Sequence, residues 1–132
     1  MNARTRMLVY DKYGGRCAYC GKELRLDEMQ VDHIVPVWRG YGKGSHPYGR
    51  DKGAGTPDNY NPACRACNFR KGTLSVEEFR KALREQCAGV VKRSFQVRQS
   101  IAYGLLSWHD KEIVFYFETC GGDNDKDGGL WL

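Results

Sequence analysis

No segment of this 132-residue chain is a long apolar run, so nothing in it is expected to span a membrane, and no internal repeat is visible. The first residues also lack the apolar core and small-residue cleavage site of a secretory leader, so a cytoplasmic, reducing setting is expected. Acidic residues are scarce over most of the chain. Residues 1–100 hold 10 Asp/Glu against 19 Lys/Arg, whereas residues 101–132 hold 6 against 2. The net charge of +5 therefore combines a basic body with an acidic end, and the basic part is the face expected toward a polyanion. Charge alone decides little, because Lys and Arg also simply solvate a surface. The end of the chain, Asp123-Asn124-Asp125-Lys126-Asp127-Gly128, begins like a calcium loop. Counted from Asp123, however, the twelfth position, which should carry a bidentate Glu, lies beyond Leu132, so a solvated acidic segment is expected instead.

What the chain does contain is six cysteines, four of them set as two C-x-x-C pairs, Cys17/Cys20 and Cys64/Cys67. In a reducing setting, identically spaced pairs read as thiolate ligands of one structural Zn²⁺, since each pair turns the backbone so that both sulfurs face one tetrahedral ion. Such an ion contributes folding energy to a small core. Cys87 and Cys120 have no partner at this spacing and read as ordinary thiols. The length and a 41% hydrophobic content suit one compact domain.

The order of elements is partly legible. Residues 4–13 form a short helix stopped by Gly14-Gly15. The β-branched residues of Gln30–Val37 predict a short strand closed near Pro36. Residues 39–56 are rich in glycine and cations, long for an unstructured connection and so either functional or a mere insertion; Arg39, Lys43, Arg50 and Lys52 could track phosphates while Tyr41 or Tyr48 stacks on a base. Asp58–Pro62 reads as turn chemistry. Ser75 and Glu78 form a capping box for a helix over about 76–86, with Phe79, Ala82 and Leu83 on its apolar face. Residues 94–104 are ambiguous between helix and strand. Ile113–Glu118 predicts a strand, hairpinned through the turn at 108–111.

Between the cysteine pairs lies Val31-Asp32-His33-Ile34-Val35-Pro36. Hydrolysis of a phosphodiester needs an activated water and a positive centre for charge on the leaving oxygen. Adjacent Asp32 and His33 can divide this work at a strand end, one ligating a divalent ion, the other activating water. An unperturbed imidazole, with a pKa of about 6.5, suits a general base near neutral pH.

Taken together, CAYCGKEL (17–24), QVDHIVPVWRG (30–40) and DNYNPACRACNFRKG (58–72) resemble the HNH endonucleases, the ββα-metal nucleases. The resemblance implies that His33 is the general base, that Asp32 ligates the catalytic ion, and that the Asn59 amide helps to orient the base. Asn68, directly after Cys67, falls on the last motif position and implies the second metal ligand, making this an H-N-N variant. An amide oxygen suits hard Mg²⁺ or Mn²⁺ and argues against a His-rich zinc centre as the catalytic site. Arg70 and Lys71 would contact phosphate; Asn59 as a turn holder and Asn68 as a helix cap are the plainer alternatives. His46 and His109 read as surface residues.

The fold class expected is α+β: a small ββα core stapled by a four-cysteine zinc site, with flanking helices and a C-terminal β-hairpin. Residues 1–92 would form the nuclease domain, with 39–56 inserted, and 93–132 a β-rich extension packed on it. The function implied is metal-dependent cleavage of double-stranded DNA, of the kind found in phage or mobile elements, with a homodimer or a protein partner left open. The alternatives are a catalytically silent nucleic-acid or protein-binding module on the same scaffold, and a factor acting mainly through a partner.

Overall fold

The computed structural model describes residues 1–37 and 53–120. Arg39, Lys43, Arg50 and Lys52, the tyrosines of the glycine-rich segment, His46 and the acidic end lie outside the described residues.

The chain divides into two compact units, one comprising Met1–Val76 and the segment that begins at Val114, the other Glu77–Ile113. The first opens with α1 (Ala3–Asp11), whose N-cap Asn2 accepts from the Thr5 amide at 2.8 Å. Past its end, Gly14 and Gly15 take φ of 63° and 78°, the left-handed conformation that stops a helix, as expected. Val9 is the buried residue of this helix, while Met7 and Leu8 stay exposed. The helix is held by polar links: Arg6 donates to the Leu26 and Met29 carbonyls, and the Tyr10 hydroxyl to that of Leu24. Cys17–Cys20 follows in a tight turn closed by Cys17 N–H donating to the Lys22 carbonyl at 2.8 Å.

β1 (Gln30–His33) pairs antiparallel with β2 (Tyr60–Ala63), in the register Gln30↔Ala63, Val31↔Pro62, Asp32↔Asn61 and His33↔Tyr60. β2 was expected to be turn. The turn is confined to the 3₁₀ segment Pro57–Asn59, and Tyr60-Asn61-Pro62-Ala63 is extended. Proline is tolerated because the Pro62 carbonyl points away from β1 and accepts from the Ala18 amide at 2.8 Å. In a strand a residue's nitrogen faces the same way as its carbonyl, so no ladder donor is lost. β2 runs directly into α2 (Arg65–Lys71), capped by Cys64, whose sulfur accepts from the Cys67 amide at 3.4 Å. A two-stranded antiparallel sheet followed by a helix, with flanking helices, is the α+β, ββα arrangement expected.

The C-terminal hairpin is not formed. Residues 113–115 are irregular and Tyr116–Thr119 is one helical turn, α5, so no strand occurs between residues 93 and 120. Its backbone donors are committed elsewhere: Tyr116 N–H to the Tyr19 carbonyl at 3.0 Å and Phe117 N–H to that of Ala18 at 2.7 Å. The Glu118 carboxylate accepts from the Phe115 amide at 2.8 Å and closes the turn. Phe115 and Phe117 meet the Tyr19 ring edge-on at 5.2 and 5.9 Å, so the aromatic run packs on the first cysteine turn instead of on a partner strand.

In the second unit α3 (Val76–Arg93) begins where the capping box places it but continues past Gln86 to Arg93. Phe79 is its buried anchor. Arg80 donates to the Ile113 carbonyl, and Arg84 pairs with Glu112 at 2.9 Å and Asp110 at 3.4 Å, tying the irregular segment after residue 104 to α3. The ambiguous residues resolve as α4 (Phe95–Ala102), capped by Ser94, whose hydroxyl accepts from the Val97 amide at 3.2 Å.

Candidate functional site

The four sulfurs of Cys17, Cys20, Cys64 and Cys67 lie within 4.8 Å of one another, a set able to hold a metal ion. Cys20 and Cys64 sulfurs are 3.8 Å apart, the edge of a tetrahedron whose metal–sulfur bonds are about 2.3 Å. The donor set and its spacing therefore fit a four-thiolate centre. Crowding shows in the thiol equilibria: hydrogen bonds from Cys20 and Cys67 draw the Cys17 thiol far down, while Cys20 and Cys67 are pushed up by their bonds to Cys17. Protonated sulfurs so close can release one proton easily but not the next, and a bound cation resolves that conflict. Cys87 and Cys120 stand outside this group.

This cluster joins the first cysteine turn to the start of α2, and so fixes α2 against β1. Asp32 and His33, neighbours on β1, project to opposite sides. Asp32 is buried, 3% exposed, on the side of its register partner Asn61. His33 is half-buried on the other, its ring edge-on to Tyr60 at 5.1 Å. His33 is the last residue of the strand, and it and Asp32 are among the residues that line one cleft of about 360 Å³, with Val31, Pro36, Val37, Asn68, Gly72 and Thr73. Asn68 arrives from α2, one residue past Cys67. A second cleft, of about 410 Å³, opens between the α1 start and the 3₁₀ turn; it shares Val31 and His33 and adds Asn2, Thr5, Pro57 and Tyr60. His33 stands on the wall common to the two.

Asn59 does not lie in the first cleft. Its side chain is a clamp: Oδ1 accepts from the Val35 amide at 2.9 Å, and Nδ2 donates to the Val35 carbonyl at 2.9 Å and the Ala54 carbonyl at 2.8 Å. Its backbone carbonyl accepts from the Ile34 amide at 2.8 Å. It thus holds the chain immediately after His33 rather than the imidazole itself. Gly53 completes this closure, donating to the Pro36 carbonyl at 2.7 Å; a Cβ there would fall 1.8 Å from the Val35 carbonyl oxygen, so only glycine fits.

Lys71 corrects the expectation of a phosphate contact. It is fully buried, its ammonium 3.2 Å from the Asp32 carboxylate and 2.9 Å from the His33 carbonyl. Its ammonium is committed to these two oxygens and has no exposed surface to offer a phosphate. Arg70, in the last turn of α2, stays half-exposed. Asp32 also accepts from the Tyr19 hydroxyl, to which Asn61 Nδ2 approaches within 3.4 Å, leaving Asn61 Oδ1 without a partner among the described residues. Burial raises the Asp32 carboxyl above its ordinary range, against the opposing pull of Tyr19 and Lys71. Burial likewise pushes the Tyr19 phenol up, keeping it a donor. Tyr19 and Gly53 escaped the sequence reading as parts of the site; Lys71 was read as a phosphate contact, because its spacing after Asn68 was visible and its direction was not.

A family model for HNH endonuclease matches residues 17–74. No curated protein matches the chain. Among solved structures, the chain is similar to the Type II-C Cas9 enzyme from Actinomyces naeslundii at 19% identity with a TM-score of 0.47. That match covers 94% of this chain and 13% of the Cas9 chain, so the chain spans a small part of that enzyme's length.

Proposed function

We propose that the chain, whose residues 17–74 match a family model for HNH endonuclease, is a divalent-metal-dependent endonuclease that hydrolyses DNA phosphodiester bonds. The observation that carries this reading is the convergence of Asp32, His33 and Asn68, from two elements, on one cleft. The Asp32 carboxylate and the Asn68 amide oxygen are hard donors of the type that holds Mg²⁺ or Mn²⁺. The ion supplies Lewis-acid stabilisation of charge on the scissile phosphate and leaving 3′ oxygen. His33 takes the proton of the attacking water, and its place on the wall between two clefts lets it face a water from the side away from Asp32. Asn59 and Gly53 set the backbone that follows His33, so Asn59 acts as a positioning residue. Cleavage leaves a 5′ phosphate. The four cysteines hold a structural Zn²⁺, which keeps α2, and Asn68 with it, against β1.

Arg70, half-exposed in the last turn of α2, and Arg39, Lys43, Arg50 and Lys52 supply backbone contacts to the duplex. One such site per chain nicks a duplex; paired cuts require two chains or two visits.

The test is incubation of the purified protein with supercoiled plasmid in Mg²⁺, in Mn²⁺ and in EDTA, beside His33→Ala. Relaxed circles that need the metal are expected from the wild type, with a loss of about 10³-fold in the variant at unchanged folding and zinc content. Equal cleavage by the variant would overturn the assignment of the base, and no metal-dependent change would favour the silent binding module.

A further inference from the structure

The Asp32 carboxylate already has a cation. Lys71 Nζ sits 3.2 Å from it, with the two side chains 0% and 2% exposed, and also donates to the His33 carbonyl at 2.9 Å. Burying an ammonium is costly unless it is paired and hydrogen-bonded, and here both conditions are met by the Asp-His dipeptide alone. Lys71 closes α2, three residues beyond Asn68, so the helix that brings the second oxygen donor to the cleft also brings a positive charge to the first.

On the reading above, in which Asp32 and Asn68 hold a divalent ion, the ion and Lys71 seek the same carboxylate. Two cations on one carboxylate repel strongly where water screens them poorly. A metal that takes an Asp32 oxygen weakens the ammonium's hold on the same carboxylate, and the His33 carbonyl is the acceptor that can retain the ammonium. We propose that Lys71 is a built-in counter-cation, which holds Asp32 and the end of β1 in place before metal binds and sets the affinity of the site for divalent ions by competing with them. It is a positioning residue, touching Asp32 and the His33 backbone rather than the substrate.

In zinc-reconstituted full-length protein, Mn²⁺ binding is read from loss of the free-ion electron paramagnetic resonance signal. Lys71→Met keeps the length of the side chain and removes its charge; Mn²⁺ affinity is expected to tighten at least about tenfold, about 1.4 kcal/mol. A purely structural lysine predicts the reverse, so unchanged or weaker affinity overturns the proposal. Asp32→Asn is expected to weaken binding in both the wild-type and Lys71→Met backgrounds. No Mn²⁺ binding by the wild type, or binding indifferent to Asp32→Asn, overturns the metal-ligand reading and the competition with it.

A second measurement needs no variant. By ¹⁵N NMR of the wild-type protein, the buried Lys71 ammonium is expected to give a slowly exchanging signal that shifts or is lost over the same Mg²⁺ range that moves the Asn68 side-chain amide. An ammonium signal that stays fixed while Asn68 responds overturns the competition.

Discussion

Asn59 shows how much of a candidate site can rest on a residue that lines none of the cleft shared by Asp32, His33 and Asn68. Three side-chain hydrogen bonds, to both polar groups of Val35 and to the Ala54 carbonyl, lock the chain that leaves His33. Each is worth about 0.5–1.5 kcal/mol net, so Asn59→Ala should destabilise the protein by about 2 kcal/mol in a denaturant titration. Activity should fall further than stability, because the imidazole loses its fixed origin while Asp32 and Asn68 keep theirs. The expected signature is a lower kcat with Mn²⁺ affinity preserved; a parallel loss of metal binding would mean that the clamp serves the whole cleft. Asn59 was legible as a motif position, but the group it grips was not, since Val35 becomes its partner only once β1 and the 3₁₀ turn are adjacent. Lys71 failed for a related reason. Lysine at the end of an exposed-looking helix reads as a surface cation, and only the packing of α2 over Asp32 turns it inward.

Among the elements, α1, β1 and the start of α3 followed from local signals: caps, glycine stops and β-branched runs act within a few residues. β2 and α5 did not. Tyr60–Ala63 is short, polar and interrupted by proline, and it becomes a strand because β1 on one side and Ala18 on the other take up its backbone groups. Ile113–Glu118 has the composition of a strand, yet its amides are captured by Ala18 and Tyr19 and its aromatic rings by Tyr19. β propensity records a fit to a half-buried pleated surface, and the cysteine turn offers a different burial for the same side chains. Phe115, 2% exposed, carries that packing. Phe115→Ala should cost about 3–5 kcal/mol in a denaturant titration and loosen the ring of Tyr19, the donor to Asp32. Phe115→Leu, which keeps most of the volume, should cost less than half as much. Equal losses would show that the site is indifferent to the filling of this pocket.

For the whole molecule, the cysteine cluster is expected to decide whether the two halves of the cleft meet. Asp32 and His33 come from β1 and Asn68 from α2, joined through a two-stranded sheet that is marginal by itself. A structural zinc contributes on the order of 10 kcal/mol of binding free energy, comparable with the entire stability of a small domain. Stripping the metal with a strong chelator, or Cys64→Ser, should therefore unfold the first unit, seen as loss of near-ultraviolet circular dichroism and of plasmid cleavage together. Acid should act in the same direction, since protons compete for the thiolates as pH falls. Metal analysis should return one tightly held zinc per chain. Retention of fold and cleavage after complete zinc removal would assign the cysteines a lesser part.

The sequence by itself put forward the four cysteines, the Asp32-His33 dipeptide and Asn68 as candidates, because chemistry that needs given residue types at short spacing is written locally. It determined the α+β class for the same reason, through caps, stops and the cysteine framework. Tertiary structure alone decided which charges face inward and which segments pair. Lys71 on Asp32, Tyr19 beneath it, Gly53 against Val35 and the aromatic turn on the first cysteine pair join positions far apart in the chain. Burial and hydrogen-bond capture at those separations depend on what else occupies the space, and no local pattern records that.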